Sequence, residues 1–379
     1  MQNKIFYIGY YSSPSIIPER NIPLAGRNKM DYTIDALKNI FDCVEIISMA
    51  NTKDKRYYAP SVYQEIKEGV YLKLFKSYVA SNRLFAFCNY LLLRIQLFCY
   101  LLANVKCNDT VLVYHSLAYK KWILRAKKII GFKFVLELNE IYSDVAPKYE
   151  KYRSLEIANI NIADGFLFAN DLMNGLFNVK NKPFAVGYGI YKIENKVADK
   201  FNDDFIHLVY AGTLDPDKGG ASAAIAAAKY LPSNYHIHIL GFGTPEMIKA
   251  VEIHITKMRV DAKCRISYDG VYDGSDFMAF LQKCHIGLST QNPNASFNDT
   301  SFPSKILTYL ANGLQVVSIA IPAISRSQMK DDITFYQEQT PEDIASAIMK
   351  INDFTPRYRK LNNLDRQFRI QIQNLFAKI

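Results

Sequence analysis

One stretch of the chain, residues 296–318, has the pattern of a loop, a helix, a turn and a strand in immediate succession. Ser301 suits the N-cap of the helix and Pro303 its first turn, while the Asn-Gly pair at 312–313 is a helix stop. Val316, Val317 and Ile319 then predict a short buried strand. A polar loop that enters a helix N-terminus presents free backbone N–H groups, so this stretch is a candidate anion site. An ordinary connection in an α/β fold is the alternative.

The same alternation of apolar strands, glycine-containing loops and helices recurs along the chain. It begins with a strand at 4–10 and a helix at 28–41, and it restarts with a strand at 206–211 after a loop-rich segment at 179–197. This pattern predicts an α/β protein with two successive doubly wound domains. The length of 379 residues suffices for two domains, and a 49% hydrophobic composition is that of a globular protein. The glycine loops are concentrated in the second domain, and the first lacks a G-x-G-x-x-G fingerprint.

Three polar residues in the first half follow predicted strands. His115 comes directly after a strand at 111–114, and Glu140 and Asp144 follow a strand at 133–138. Because ligands bind beyond the carboxyl ends of parallel strands in open α/β sheets, all three are candidate site residues. A helix cap or a solvated loop position is the alternative for each.

Residues 84–103 form an almost continuous apolar run whose length reaches that of a transmembrane span. A predicted strand follows at once, so the run occupies the place of a crossover helix, and a central arginine disfavours a span. We expect a domain helix that is buried or lies at a membrane interface, with a true span as the alternative. Nearby basic residues suit either an anionic bilayer or the charged face of a soluble helix pair. These residues are Lys73, Lys76, Arg83 and Arg94.

The formal net charge of +10 favours anionic partners such as nucleotides or an anionic membrane surface. The basic residues are spread over several predicted helices and no nucleic-acid-binding motif is present, so we expect no nucleic-acid partner. Six cysteines without C-x-x-C spacing predict free thiols in a reducing compartment. The first residues predict a strand rather than a signal peptide. We therefore expect a cytoplasmic protein, with peripheral attachment to the inner membrane as a further option.

Three motifs of the second half resemble, in order and spacing, those of the GT-B glycosyltransferases, which have two facing Rossmann-like domains. They are V-Y-A-G-T-L-x-x-x-K-G at 209–219, H-I-L-G-F-G at 238–243, and F-P-S-K-x-x-x-Y-L-A-x-G-x-x-V-V at 302–317. In the first half, A-G-R-N-K at 25–29 and L-E-L-N-E-I-Y-S-D at 136–144 are similar to bacterial surface-polysaccharide transferases of the O-antigen, lipopolysaccharide and capsule type.

The resemblance implies a GT-B organisation with an acceptor-binding domain at 1–195, a nucleotide-sugar-binding domain at 196–355, and a C-terminal helix at 356–379 that returns to the N-terminal domain. Lys218 would pair with the donor diphosphate, which the neighbouring glycine backbone could approach closely. The implied donor-binding residues are Gly212, Thr213, Lys218, Gly219, Gly241, Gly243, Val271, Tyr272, Ser301, Phe302, Pro303, Ser304, Lys305 and Thr308. The implied acceptor-side residues are Gly26, Arg27 and Asp144.

The resemblance further implies an enzyme that transfers a hexosyl-type sugar from a nucleotide-sugar donor to a lipid-linked saccharide during surface polysaccharide assembly. The candidate catalytic residues are Lys218, which would stabilise the leaving diphosphate, and Glu140 or His115 as the base for the acceptor hydroxyl, with Asp144 as a further choice. A retaining reaction would need no side-chain base. We expect no cofactor and no required metal, so EDTA should leave turnover unchanged.

Three positions depart from the pattern of many retaining members of this family. Thr300 and Thr308 stand where those members have glutamates, and Thr213 stands where many have arginine. The replacements at Thr300 and Thr308 favour, as an alternative, a non-catalytic GT-B partner subunit of a glycosyltransferase complex. A GT-B epimerase that acts on the nucleotide sugar itself is a further alternative, and it would form product without an acceptor.

Overall fold

The computed structural model describes residues 3–14, 16, 20–52, 58–79 and 82–379. Its contacts divide the chain into two compact units. The first comprises Met1–Ala169, Met173–Gly187 and Phe368–Ile379, and the second comprises Asn170–Leu172 and Tyr188–Gln367. The chain enters its long second-unit segment at Tyr188, shortly before the boundary that the sequence predicts at residue 195.

A mainly parallel sheet organises the first unit. Its strands are β1 (Lys4–Gly9), β3 (Cys43–Ser48), β5 (Val62–Lys67), β6 (Val70–Leu74), β7 (Thr110–Tyr114), β8 (Lys133–Leu138), β9 (Gly165–Phe168) and β10 (Phe184–Val186). The spatial order is β10-β9-β8-β7-β1-β3-β6-β5, with β5 antiparallel to β6 at one edge. The short strands β2 (Arg20–Asn21) and β4 (Asn51–Thr52) pair separately. The sheet order reverses between β1 and β7, which places a topological switch point at the carboxyl ends of these strands.

Helices connect these strands. They are α1 (Leu24–Leu37), α2 (Arg83–Asn104), α3 (Lys120–Ile130), α4 (Tyr142–Val145), α5 (Arg153–Ile160) and α6 (Leu172–Phe177). The predicted start of α1 at residue 28 is wrong: Pro23 is extended and the helix begins directly after it. Gly26 and Arg27 therefore lie in the first turn of α1 rather than in a loop. As predicted, Gly131 ends α3 in the left-handed conformation, with φ of 83°.

The second unit is a fully parallel sheet. Its strands are β11 (Ile206–Thr213), β12 (Tyr235–Phe242), β13 (Arg265–Gly270), β14 (Ile286–Ser289), β15 (Gln315–Ile319) and β16 (Ile333–Tyr336). The order β13-β12-β11-β14-β15-β16 is that of a Rossmann domain, with the reversal between β11 and β14. The helices are α7 (Gly220–Ala227), α8 (Pro245–Asp261), α9 (Gly274–Lys283), α10 (Lys305–Ala311), α11 (Pro322–Ser325) and α12 (Pro341–Met349).

The C-terminal helix α13 (Tyr358–Ala377) ends in the first unit, as predicted. Its apolar positions face inward there: Phe368 stacks on Tyr32 of α1 with ring centroids 5.3 Å apart, and Phe376 contacts Phe41 at 5.3 Å. Gln371 Oε1 also accepts a hydrogen bond from the Val186 N–H at 2.9 Å. Residues spaced at helical intervals thus cover one edge of the first sheet.

Candidate functional site

The carboxyl edge of the second sheet brings the two predicted glycine loops together. Gly212 at the end of β11 and Gly241 near the end of β12 are register partners. A Cβ on Gly241 would lie 2.1 Å from Gly212 O, so this close approach of two backbones requires glycine. The loops lie at the carboxyl ends of strands next to the switch point, where ligands bind in open α/β sheets.

The loop after β11 is held against the loop after β14. The Lys218 N–H donates to Asp215 O at 3.2 Å, and the Lys218 carbonyl accepts from the Asn292 N–H at 3.0 Å. Gly219 follows with φ of 67°, a conformation that side chains other than glycine rarely adopt. Thr290 Oγ1 donates to Gly220 O at 2.7 Å. These bonds fix the backbone that carries Lys218 beside the switch point.

Lys305, the first residue of α10, is placed at the same edge. Its ammonium lies 4.0 Å above the Tyr210 ring and would be 3.0 Å from a Cβ on Gly212. Burial, and then the charge of Lys218, lower the pKa of Lys305 to about 7. Among the ion pairs of the residues that the structure describes, none includes Lys218 or Lys305. Two neighbouring lysines outside those ion pairs are a candidate site for an anion such as a diphosphate.

The opening of α10 differs from the prediction. The helix begins at Lys305 after Ser304, so Ser301 is not its N-cap and Pro303 is not in its first turn. Ser301 Oγ instead donates to Phe297 O at 3.0 Å, because the chain forms a separate 3-10 turn in this region. The helix has only seven residues, so the candidate anion site depends on the lysine side chains more than on the helix terminus.

Phe302 is one of the predicted donor-binding residues with a largely structural environment. Its side chain is almost fully buried and its ring centroid lies 5.1 Å from that of Tyr188. Asn170 Nδ2 donates to Asp299 O at 3.3 Å and to Ser301 O at 3.1 Å, which anchors the preceding loop. Asn170 lies outside the motifs, so the sequence carried no sign of this role.

The other predicted donor-binding residues lie around the same edge. Thr213 is the last residue of β11, and Gly243 follows β12. Val271 and Tyr272 follow β13 at the sheet's outer strand, and both side chains are exposed. Thr308 lies on α10, where its hydroxyl donates to Ser304 O at 3.3 Å. All fourteen implied donor-binding residues therefore lie in the second unit, and the assignment of each to a part of the donor stays a prediction.

In the first unit, the candidate base His115 is tied to a buried glutamate. His115 Nε2 lies 2.7 Å from Glu156 Oε1, and both residues are buried. The same carboxylate accepts N–H groups from Tyr142 at 3.1 Å and from Ser143 at 3.4 Å. Burial lowers the pKa of His115 although Glu156 opposes the shift. Glu156 thus joins β7, α5 and the start of α4, a link that no motif indicated.

Asp144 and Glu140 have different surroundings. Asp144 is buried and forms an ion pair with Arg153, which raises the pKa of that guanidinium. Glu140 lies in the half-exposed connection after β8. Glu140 is therefore the more accessible of the two carboxylates, and its role as the base stays a prediction.

A polar cluster beneath this edge was missed by reasoning from the sequence. Glu137 on β8 is fully buried and accepts a hydrogen bond from Tyr7 of β1. Lys29 of α1 lies 3.9 Å from the same carboxylate and also donates to Asn139 and to Gly187 O at 3.3 Å. Burial raises the pKa of Glu137, and Lys29 and Tyr7 oppose the shift. The cluster attaches α1 to the sheet, so the A-G-R-N-K motif has at least one structural residue.

No protein-family model matches the sequence, and no curated protein sequence matches it. Solved structures match along nearly the whole chain. They include α,α-trehalose 6-phosphate synthase from Burkholderia multivorans, with a TM-score of 0.64 at 10% identity, covering 100% of this chain and 96% of that one. HepE from Anabaena in complex with UDP and glucose has a TM-score of 0.64 at 14% identity, covering 99% and 98%. A glycosyltransferase from Rickettsia africae ESF-5 has a TM-score of 0.59 at 14% identity, covering 100% and 98%. At these identities the similarity shows the fold, which is the predicted GT-B fold.

Proposed function

We propose that this chain is a glycosyltransferase that takes a sugar from a nucleoside-diphosphate donor held by the second unit. The observation that carries the proposal is the pair of lysines, Lys218 and Lys305, beside the glycine loops at the Rossmann switch point. The GT-B fold supports it, and HepE, one of the similar structures, contains UDP and glucose. UDP is therefore the first nucleotide to test.

The lysines act on the charge that develops during transfer. Cleavage of the bond between the anomeric carbon and the phosphate oxygen leaves a nucleoside diphosphate with an additional negative charge. Lys218 and Lys305 stabilise that charge in a partly desolvated site, where fixed cations are more effective than in water. In an inverting reaction Glu140 accepts the proton of the acceptor hydroxyl, with His115 as the second choice.

We propose a lipid-linked saccharide at an anionic membrane surface as the acceptor, in the assembly of a bacterial surface polysaccharide at the cytoplasmic face of the inner membrane. Helix α2 supports this proposal. It is long and apolar enough to cross a membrane, with a mean hydropathy of 1.6, yet only 28% of its apolar window is buried in the fold. Leu84, Phe87, Leu91, Ile95 and Leu102 are exposed at helical spacing and form a continuous apolar face.

The basic residues near α2 suit an anionic bilayer, except for Arg94. Arg94 is buried: its Nε donates to Ala118 O at 2.6 Å, so it belongs to the fold and cannot contact lipid. Lys76 and Arg83 are exposed before and at the start of α2. The neighbouring helix α3 adds exposed basic residues, including Lys121, and contains no acidic residue. An apolar face flanked by cations binds anionic membranes by burial and by electrostatic attraction together.

A thermal-shift experiment tests donor binding. UDP, GDP and CMP, and their sugars, are added to the full chain and to Lys218→Ala, with Lys249→Ala as a control that removes an exposed lysine of the same unit. A ligand at about 100 times its Kd adds about 2.7 kcal/mol to the free energy of unfolding, so the melting temperature should rise. The rise should be much smaller in Lys218→Ala and persist in Lys249→Ala. If no nucleotide raises the melting temperature of the parent chain, the partner-subunit alternative, which Thr300 and Thr308 favour, is preferred over the enzyme.

Flotation with liposomes tests the membrane surface. The protein should float with anionic vesicles at low salt, and less at high salt, because exposed charges are screened. Leu84→Glu combined with Phe87→Glu should abolish flotation, since both side chains are exposed and contribute to binding. Val260→Glu is the matched control on an exposed apolar residue of the second unit. Equal flotation of the double variant and the control would contradict the assignment of α2.

A further inference from the structure

Three histidines lie together at the amino ends of β11 and β12, at the opposite end of the strands from the glycine loops. His207 and His236 are register partners, and His238 follows on the same face of β12. One ring nitrogen of each lies within 4.8 Å of the others. His207 and His238 are almost fully buried, and His236 is half-exposed. Phe201 stacks on His207 with ring centroids 4.2 Å apart and covers the cluster.

A continuous chain of short contacts passes through two of these rings. His207 Nε2 lies 2.8 Å from Asp203 Oδ1, and His207 Nδ1 lies 2.8 Å from His238 Nε2. His238 Nδ1 in turn lies 3.1 Å from Asp269 Oδ2. An ionised carboxylate only accepts hydrogen bonds, and a neutral imidazole carries a single N–H. The three contacts need one proton each, but two neutral rings supply only two.

The third ring and a serine do not provide the missing proton. His236 Nε2 lies 3.0 Å from Ser267 Oγ, and the Ser267 hydroxyl donates to Asp269 Oδ2 at 2.7 Å. The longer Ser267 contact to His238 Nδ1, at 3.2 Å, cannot use the same proton. With its proton on Nε2, His236 has Nδ1 as the nitrogen with a free lone pair.

A metal ion resolves this conflict between the two rings. It accepts a lone pair from each of the two facing nitrogens, so no proton is needed between them, and each ring keeps one N–H for its outer partner.

We propose that His207, His236 and His238 bind a divalent transition-metal ion of the zinc type. The ion lies between the facing nitrogens, His207 Nδ1 and His238 Nε2, and takes His236 Nδ1 as its third ligand. Each ring then donates its N–H outward, to Asp203, Asp269 or Ser267, which is how outer acceptors orient metal-bound histidines. Three imidazoles with one open position suit Zn²⁺ and Co²⁺, which bind imidazole nitrogens at about 2.0–2.1 Å.

The site is structural and independent of the proposed donor site. His207 and Thr213 are the second and last residues of β11, about 20 Å apart along the strand at about 3.3 Å per residue. The ion joins the amino ends of two central strands to the segment that carries Phe201 and Asp203. The expectation that turnover itself needs no metal concerns the other end of the sheet and is unaffected.

The test uses the full chain purified without a polyhistidine tag, stripped with a chelator and titrated with CoCl₂. We expect one Co²⁺ per chain with visible d–d absorption and without thiolate-to-cobalt charge transfer, because the ligands are imidazoles. Zn²⁺ should displace it and raise the melting temperature. His236→Gln, at the half-exposed position, should abolish uptake. Asp203→Asn should weaken Co²⁺ binding by about 10–100-fold, as expected for a group that orients a ligand.

His254→Gln is the control, because His254 lies on α8 outside the cluster. This variant should bind Co²⁺ like the parent chain. A native circular dichroism spectrum of each variant shows that the chain is folded, so that loss of Co²⁺ binding can be attributed to the substituted side chain. No uptake by the folded parent chain would overturn the proposal, and so would uptake that survives His236→Gln and Asp203→Asn. Neither result depends on nucleotide binding, which Lys218→Ala tests separately.

Discussion

Nucleotide-sugar affinity should fall by about ten-fold when the pH rises from about 6 to about 8, because Lys305 loses its proton in this interval. Burial and the adjacent charge of Lys218 lower the pKa of Lys305 to about 7. A bound diphosphate supplies the missing counter-charge and keeps the ammonium protonated. Deprotonation of the free protein therefore competes with binding, and affinity is highest below the pKa of the free lysine.

The magnitude follows from the protonated fraction of Lys305. With a pKa of about 7, that fraction is about 0.9 at pH 6 and about 0.1 at pH 8. The ratio corresponds to about 1.4 kcal/mol of binding free energy. A UDP-sugar is the right ligand, because both ends of its diphosphate are esterified and it does not titrate between these pH values.

Isothermal titration calorimetry in two buffers of different ionisation enthalpy measures both affinity and proton uptake. We expect about 0.1 proton taken up per ligand at pH 6 and about 0.9 at pH 8. Lys305→Met should bind more weakly at pH 6 and lose the pH dependence. Lys218→Met should also bind weakly but shift the dependence to higher pH, since it removes a neighbouring positive charge. A parent chain with constant affinity, or a Lys305→Met variant with the same slope, would refute this reasoning.

Gly241→Ala should lower the free energy of unfolding by about 1–3 kcal/mol in urea denaturation, because the added Cβ would overlap the carbonyl oxygen of Gly212. Gly175→Ala on α6 is the control, with open space around the added methyl, and should be neutral or stabilising. Tyr309→Phe should cost about 1–3 kcal/mol in the same assay, since its hydroxyl accepts from a buried backbone N–H at 2.8 Å; an unchanged midpoint would contradict this. Glu140→Gln should reduce kcat by about 10²–10⁴-fold with donor Kd unchanged if it is the base, and equal kcat would favour a mechanism without a side-chain base.

The sequence was sufficient for the fold where the signal is local. Alternation of apolar runs with glycine loops and helical spacing predicted both doubly wound units, because strand and helix periods are properties of neighbouring residues. Gly131 and Gly313 were correctly identified as helix ends, since left-handed backbone favours glycine wherever it occurs. The spacing of Phe368, Ile372 and Leu375 likewise predicted an amphipathic final helix.

Helix starts were less predictable. The sequence placed α1 four positions too late and α10 too early, because capping preferences of Ser301 and Pro303 are weak compared with the tertiary contacts of the loop. The sequence placed Arg94 either at a bilayer surface or on the charged face of a soluble helix pair, whereas its guanidinium is buried and donates to a carbonyl inside the fold. A long side chain can turn to either face, and only packing decides which.

The sequence alone determined the order of elements, the positions of the glycine loops and the excess of basic charge. Tertiary structure alone decided which polar groups meet. Lys305 at the start of α10 comes beside Lys218 in the loop after β11, and His207 on β11 comes beside His238 on the adjacent strand β12. Such pairs arise from sheet order and register, which are long-range properties. The Lys305 pKa of about 7 and the lack of a proton between His207 and His238 both result from these long-range contacts. No pattern within a single segment encodes either property.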